Sequence, residues 1–267
     1  MSETEPKAGW RLKFAGAALI FAILAVAWFA VAALGTKFGL WGWQFGLGKM
    51  TIGWGPMIIF AAVGFGVLAL IIALIKAPRK QPTMLALAAL LICSMVFFRI
   101  MGFGAQATGL PPLHDIQTDW SEPVRFSEAM LMHRKDDGAM NPVEDEPVIP
   151  DAANARWPGM GGRLVSVVQE EAEVEQTVDG QKYAPVYPVI EPMYFDQSPT
   201  EVADAVTELA RSRGWDISTL PDLGEGDTET TLEATETSGW FGFKDDVAIR
   251  IRGVDGVTRV DMRSISR

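Results

Sequence analysis

The sequence predicts two bodies in one chain: three transmembrane α-helices, then an α+β domain in which one main helix packs on an antiparallel sheet. Three observations predict it. No Asp or Glu occurs between Glu5 and Asp115. That acid-free stretch holds three long apolar runs. After Tyr187, strand-like alternation brackets a single well-capped helix. Residues 1–101 hold 9 Lys and Arg against 2 Asp and Glu, a net of +7, whereas residues 102–267 hold 14 against 31, a net of −17. A carboxylate inside a bilayer is costly, so the acid-free part is also the part fit for hydrocarbon.

The chain divides into an N-terminal tail (1–13), a membrane domain (14–101) and an acidic domain (102–267). Phe14 to Leu34, Gly55 to Ile75 and Met84 to Met101 are the apolar runs, broken only by Arg99 in the third. Each can cross a core of about 30 Å at about 1.5 Å per residue. The first run is not read as a cleaved leader, because its 21 residues exceed a signal h-region of about 7–15. Lys7, Arg11 and Lys13 flank the first run, and Lys76, Arg79 and Lys80 crowd the second loop. The first loop has only Lys37 and Lys49. Basic residues stay cytoplasmic, so the expected topology is N-terminus in and acidic domain out. In a bacterium this is the inner membrane with a periplasmic domain.

The first loop, Gly35 to Trp54, carries Phe38, Trp41, Trp43, Phe45 and Trp54, which suit a headgroup belt or a loop held by a partner. Gly42 and Gly46 have the spacing of a small-xxx-small helix contact, and Gly64-Phe65-Gly66 reads as close helix packing. Arg99 is placed to snorkel.

From Gly102 to about Pro188 the chain is rich in Pro, Gly, Asp and Glu and is expected to wrap a core built elsewhere. A short strand is expected at Arg163 to Val168. Ile190 to Phe195 reads as a strand. Ser198, Pro199 and Glu201 form a capping box with Pro at the first helical position. Val202, Val206 and Leu209 repeat at helical spacing, and Gly214 ends the helix. Strands follow at Trp215–Thr219 and Thr228–Thr237, then a hairpin of Asp246–Arg252 and Thr258–Ser266 about Gly253–Gly256. Val247, Ile249, Ile251, Val260 and Met262 share its apolar face. Ala248, Arg250, Arg252, Arg259, Asp261 and Arg263 share the other.

Three stretches carry a family resemblance: Pro112–Asp119; Tyr187-Pro188 with Ser198-Pro199 and Gly214-Trp215; and Gly242–Val247 with Val260–Arg267. Together they resemble the domain-of-unknown-function 1499 family over about Pro111 to Arg267. The resemblance implies an extracytoplasmic domain behind a few spans, with no established activity, cofactor or substrate. Members usually continue past the stretch that ends here at Arg267, so a site drawing on that extension would be incomplete.

His114, Asp115, Asp119, Asp245 and Asp246 are the candidate ligands or acid–base residues of a metal- or carboxylate-dependent hydrolase. The alternative is that Asp115 and Thr118 cap turns and His114 lies satisfied at a domain edge. Arg250, Arg252, Arg259 and Arg263 would form an anion-binding pocket if unpaired. With acidic partners they would form a salt-bridge lattice, which is the favoured reading. A lone cysteine, Cys93, excludes an intrachain disulfide and a cysteine zinc site. The acidic domain lacks the basic face that nucleic acid requires, and no nucleophile elbow, phosphate loop or dinucleotide fingerprint occurs. No cofactor is implied. The reading is a non-enzymatic protein with the lipid bilayer and a membrane complex, or an envelope lipid, as partners. An accessory subunit and a hydrolase are the alternatives.

Overall fold

The computed structural model describes residues 9–178 and 181–267. Glu5, Lys7 and most of the expected tail lie outside them. Two compact units result. One takes in the chain up to Ala107 with Gly239–Gly242, the other Thr108–Ser238 with Phe243–Arg267.

The first unit consists of α1 (Gly9–Lys37), a π-helical segment (Gln44–Trp54) running into α2 (Gly55–Ile75), and α3 (Lys80–Gly109). Gly9–Lys37, Gln44–Ile75 and Lys80–Gly104 are each long and apolar enough to cross a membrane. Small residues fill the interior: Ala18, Ala22, Ala62, Ala69, Ala86 and Ala89 are fully buried or nearly so, while Ile20, Phe60, Leu91 and Phe98 face outward. This reverses the arrangement of a water-soluble core. It is what helix association in lipid favours, because backbones gain contact by close approach when lipid is as apolar as leucine. Gly66 fits this: a Cβ there would press on Leu90.

The expected first loop is mostly helical. Only Phe38–Gly42 is irregular. A Cβ at Gly46 would overlap Thr36 and the Ala32 carbonyl, and one at Gly35 would overlap the Trp41 ring. The indoles of Trp28 and Trp41 donate to the carbonyls of Met50 (2.9 Å) and Ala32 (3.2 Å). Trp41 is therefore folded onto α1 rather than displayed as a belt residue. Arg99 is exposed.

The second unit is an α+β domain. Its elements are β1 (Asp115–Gln117), α4 (Glu128–Asp136), α5 (Val165–Glu173), the two-stranded β2 (Gln176–Val178) and β3 (Gln181–Tyr183), β4 (Met193–Phe195), α6 (Pro199–Ser212), β5 (Asp216–Thr219), β6 (Glu229–Thr237), β7 (Lys244–Val254) and β8 (Val257–Ser266). The main sheet is antiparallel in the order β1-β8-β7-β6-β5, and β4 pairs with the other half of β8. Asp255 (φ 51°) and Gly256 (φ 87°) turn the β7–β8 hairpin.

The two faces of the hairpin carry what alternation predicts. Val247, Ile249, Ile251 and Val260 pack with Val202, Ala203 and Ala210 of α6. The α6 capping box is present, closed by Ser198 and Glu201, and Gly214 adopts φ 74° just beyond the helix.

Three expectations are corrected. Residues 163–168 are not a strand: α5 starts at Val165, and Val165, Val168 and Ala172 bury one helical face. The Ile190–Phe195 strand contracts to Met193–Phe195, since Pro192 has no N–H for a ladder. The 102–188 segment does not merely wrap. Its Val124, Phe126 and Met130 build a second core against Ala248 and Ile265 on the sheet's other face.

Candidate functional site

The arginine candidates lie on that second face. Strand alternation places Arg250, Arg252, Arg259, Asp261 and Arg263 there, and the β7–β8 register sets Arg250 opposite Asp261 and Arg252 opposite Arg259. Like charges opposite one another destabilise a sheet, so these guanidiniums need carboxylates.

Buried Asp261 is their hub. It accepts from Nε and Nη2 of Arg250 (3.3 and 3.1 Å) and from Nε and Nη2 of Arg259 (3.0 and 2.7 Å). Arg259 also donates to Asp119. Arg252 grips Glu122 through both Nη groups, while its buried Nε lies 3.8 Å from Asp261 without a hydrogen bond. Arg250, Arg252 and Arg259 therefore face Asp119, Glu122 and Asp261, and the cluster is neutral by count. Beside it, Arg263 binds Asp115 in a fork (3.0 and 2.6 Å) and donates to the carbonyls of Val124 and Glu144.

A second node surrounds Asp246. It accepts from Arg134 of α4 (2.5 Å), from Arg267 (2.7 to 3.0 Å) and from Thr235 (2.7 Å). Arg267 and Lys244 also reach Asp137. Another buried carboxylate, Glu233, has only neutral donors among the described residues: Ser127 N–H (2.5 Å), Ser127 Oγ (2.6 Å) and Thr219 Oγ1 (2.8 Å).

These partners set the ionisation of the face. Burial opposes the charge of Asp119, but hydrogen bonds from Ser121 and Arg259 outweigh it and hold the carboxyl down at about 2. Burial likewise opposes Asp246, and its bonds to Arg267 and Thr235 with the nearby cations still lower its pKa. Glu122 is lowered chiefly by its bond to Arg252. Arg259 is raised, its bonds to Asp261 and Asp119 overcoming burial.

The arginine face is the salt-bridge lattice that the sequence favours and not the open anion pocket of its alternative: Arg250, Arg252, Arg259 and Arg263 are committed to carboxylates, and their side chains keep only 0–17% of their surface. The other alternative is corrected. The hydrolase or metal candidates do not converge. Asp115 serves Arg263, Asp119 serves Ser121 and Arg259, Asp245 accepts from Ser266 Oγ, and Asp246 serves the second node. His114 is exposed, and its carbonyl accepts from Ser266 N–H. Among the described residues no group of three or more His, Cys, Asp or Glu could hold a metal ion. Nor is Asp115 a turn cap, since it lies in β1 as an ion-pair partner. Asp119 does cap a turn, accepting from Ser121 N–H at 2.8 Å.

Sequence reasoning missed Arg134, Arg267, Glu122 and Glu233. Arg134 had a local signal: Ser127 caps α4, Glu128 is in its first turn, and His133, Arg134 and Lys135 are in its last. It also missed Gln169. From α5 its amide accepts from Gln117 N–H (3.2 Å) and donates to Gln117 O (2.9 Å), satisfying β1 as a neighbouring strand would. Its Oε1 also accepts from Trp120 Nε1.

A family model described as "Protein of unknown function (DUF1499)" matches residues 115–267. The match opens on Asp115 and closes on Arg267, and so covers the ion-pair face in full. No curated protein and no solved structure matches the chain.

Proposed function

The chain belongs to the DUF1499 family, and from that premise we propose that it is a non-enzymatic, three-span protein of the bacterial inner membrane whose periplasmic domain docks onto a partner protein, as an accessory subunit of a membrane complex. The observation that carries the docking reading is where the domain leaves its apolar surface. The face richest in chemical groups is shut by internal ion pairs. The sheet edge formed by β4 is open, with Met193, Tyr194 and Phe195 exposed at 45%, 60% and 38% and neighbouring Val189 at 61%. Large apolar side chains left exposed along one edge strand suit an interaction site, and an edge strand also offers unpaired backbone groups. The domain's net charge of −17 favours a partner with a basic rim and disfavours broadside docking on anionic lipid.

The test is purification of the full chain from its own membranes in mild detergent, with mass spectrometry of what co-elutes. A stoichiometric membrane or periplasmic protein should accompany it and be lost on Tyr194→Lys. Elution of the wild type alone, after chemical cross-linking in intact cells, overturns the reading.

A further inference from the structure

The turn between β6 and β7 is an uncharged tip on an acidic domain. Ser238–Phe243 holds no charged residue in a region of net −17, and it carries Trp240, Phe241 and Phe243. The turn has a defined shape. Ser238 N–H donates to the Phe243 carbonyl (2.8 Å), Phe243 N–H donates to Ser238 Oγ (2.9 Å), and Gly242 supplies a left-handed φ of 70°. Trp240 lies in the middle of the turn with 65% of its surface exposed, and Phe243 keeps 39%.

Strand register puts this tip at the end of the sheet where the chain enters from α3. Asp115, the first residue of β1, pairs with Ile265, Ile265 with Asp246, and Asp246 with Thr235. Thr235 is two residues from Thr237, the last of β6, so the start of β1 and the turn share one end. Only the five residues Leu110–His114 separate α3 from β1, and they reach about 20 Å at most. Gly239–Gly242 also group with the membrane-capable helices rather than with the sheet. The β4 edge lies at the opposite end, where Tyr194 pairs with Arg259, Arg259 with Arg252 and Arg252 with Glu229. The chemistry of the tip selects its partner. An indole joins an apolar body to one N–H donor, which suits the headgroup level of a bilayer. Exposed Glu236 precedes the turn, and Lys244 after it is bound to Asp137 at 2.7 Å. The contact is therefore apolar rather than electrostatic, and a zwitterionic surface suits it better than an anionic one.

We infer that the β6–β7 turn inserts Trp240 into the headgroup layer of the bilayer and so anchors that end of the sheet on the membrane. This goes beyond the docking reading, and either can fail alone, because β4 lies at the other end. The test uses the full chain with Cys93→Ser in phosphatidylcholine nanodiscs, with and without a phosphatidylcholine that carries a nitroxide on its headgroup. Gly239→Cys and Glu229→Cys each take a fluorescent maleimide in separate samples. A Cβ at Gly239 meets nothing within 4 Å, and Glu229 is exposed at the far end of β6. The nitroxide should quench the label at Gly239→Cys strongly and the label at Glu229→Cys little. Trp240→Ser removes an exposed ring, which leaves the fold in place, and should cut the quenching at Gly239→Cys to about half or less. Quenching at Gly239→Cys no greater than at Glu229→Cys overturns the inference. So does quenching that Trp240→Ser leaves unchanged, since the tether alone would then bring the turn near lipid.

Discussion

Asp115 and Arg263 show what one pair does in this domain. Neither side chain keeps more than 5% of its surface, so both ions have lost most of their hydration. Their mutual fork, and the carbonyls of Val124 and Glu144 on the remaining guanidinium hydrogens, offset that loss. Removing one partner leaves the other charged and dry, which costs about 3–5 kcal/mol. Asp115→Ala should therefore lower unfolding free energy by that amount in denaturant titrations followed by tryptophan fluorescence. Asp115→Leu with Arg263→Met should recover most of the loss, because a buried pair replaced by apolar side chains is often neutral. A double variant as unstable as Asp115→Ala would mean that the pair contributes net stability beyond its own desolvation. The depressed carboxylates give the face a pH signature. A native pKa below the unfolded one means that the native state binds fewer protons, so stability is complete above the unfolded value and falls as pH drops toward the native one. Asp119 spans the window from 3.8 to about 2, and Asp246 shifts in the same direction. Melting temperature should thus hold steady from pH 7 to 5 and fall steeply between pH 4 and 2. Asp119→Asn should flatten part of that fall, on the order of 1 kcal/mol after solvent screening.

At the scale of elements, legibility followed the range of the determining contacts. Helix α6 was readable to the residue because its capping box, its Pro199 and Gly214 are local features, and the two faces of the β7–β8 hairpin were readable because alternation is local too. Helix α5 was misread: Val165, Val167 and Val168 raise β-propensity, but Val165, Val168 and Ala172 recur at the spacing of one helical face, and tertiary packing favoured the helix. The arginine cluster was visible, whereas its partners were not. Glu122 and Arg134 arrive from loops and helices more than a hundred residues away, and no sequence spacing encodes that. Gln169 shows the same limit. Its side chain joins α5 to β1 by replacing a strand, so Gln169→Leu should leave the N–H and C=O of Gln117 unmet and destabilise the domain by about 2–4 kcal/mol. Hydrogen exchange on the full chain should show Gln117 losing protection first; protection unchanged at Gln117 would mean that α5 is held by its apolar face alone.

Across the whole molecule, the charge split that divides the sequence also divides the work of its parts. The first unit buries alanine and glycine and turns large apolar side chains outward, a surface that only lipid or another helix covers. The second unit pairs its many carboxylates with arginines and stays acidic. Basic residues flank the membrane-capable helices unevenly, with Arg11 and Lys13 before the first apolar run and Lys76, Arg79 and Lys80 between the second and third, and the proposed direction of insertion rests on this asymmetry. The orientation is open to direct measurement because the chain has a single cysteine, Cys93. In a Cys93→Ser background, Gln81→Cys reports the exposed first turn of α3, next to the loop between α2 and α3, and Glu208→Cys reports an exposed position on α6. In intact spheroplasts a membrane-impermeant maleimide should label Glu208→Cys at once and Gln81→Cys only after lysis. The opposite pattern would place the acidic domain in the cytoplasm and remove the periplasmic partner proposed above. Labelling of both positions without lysis would put them on one side, which three crossings do not allow, and would require one of the three apolar helices to lie out of the membrane.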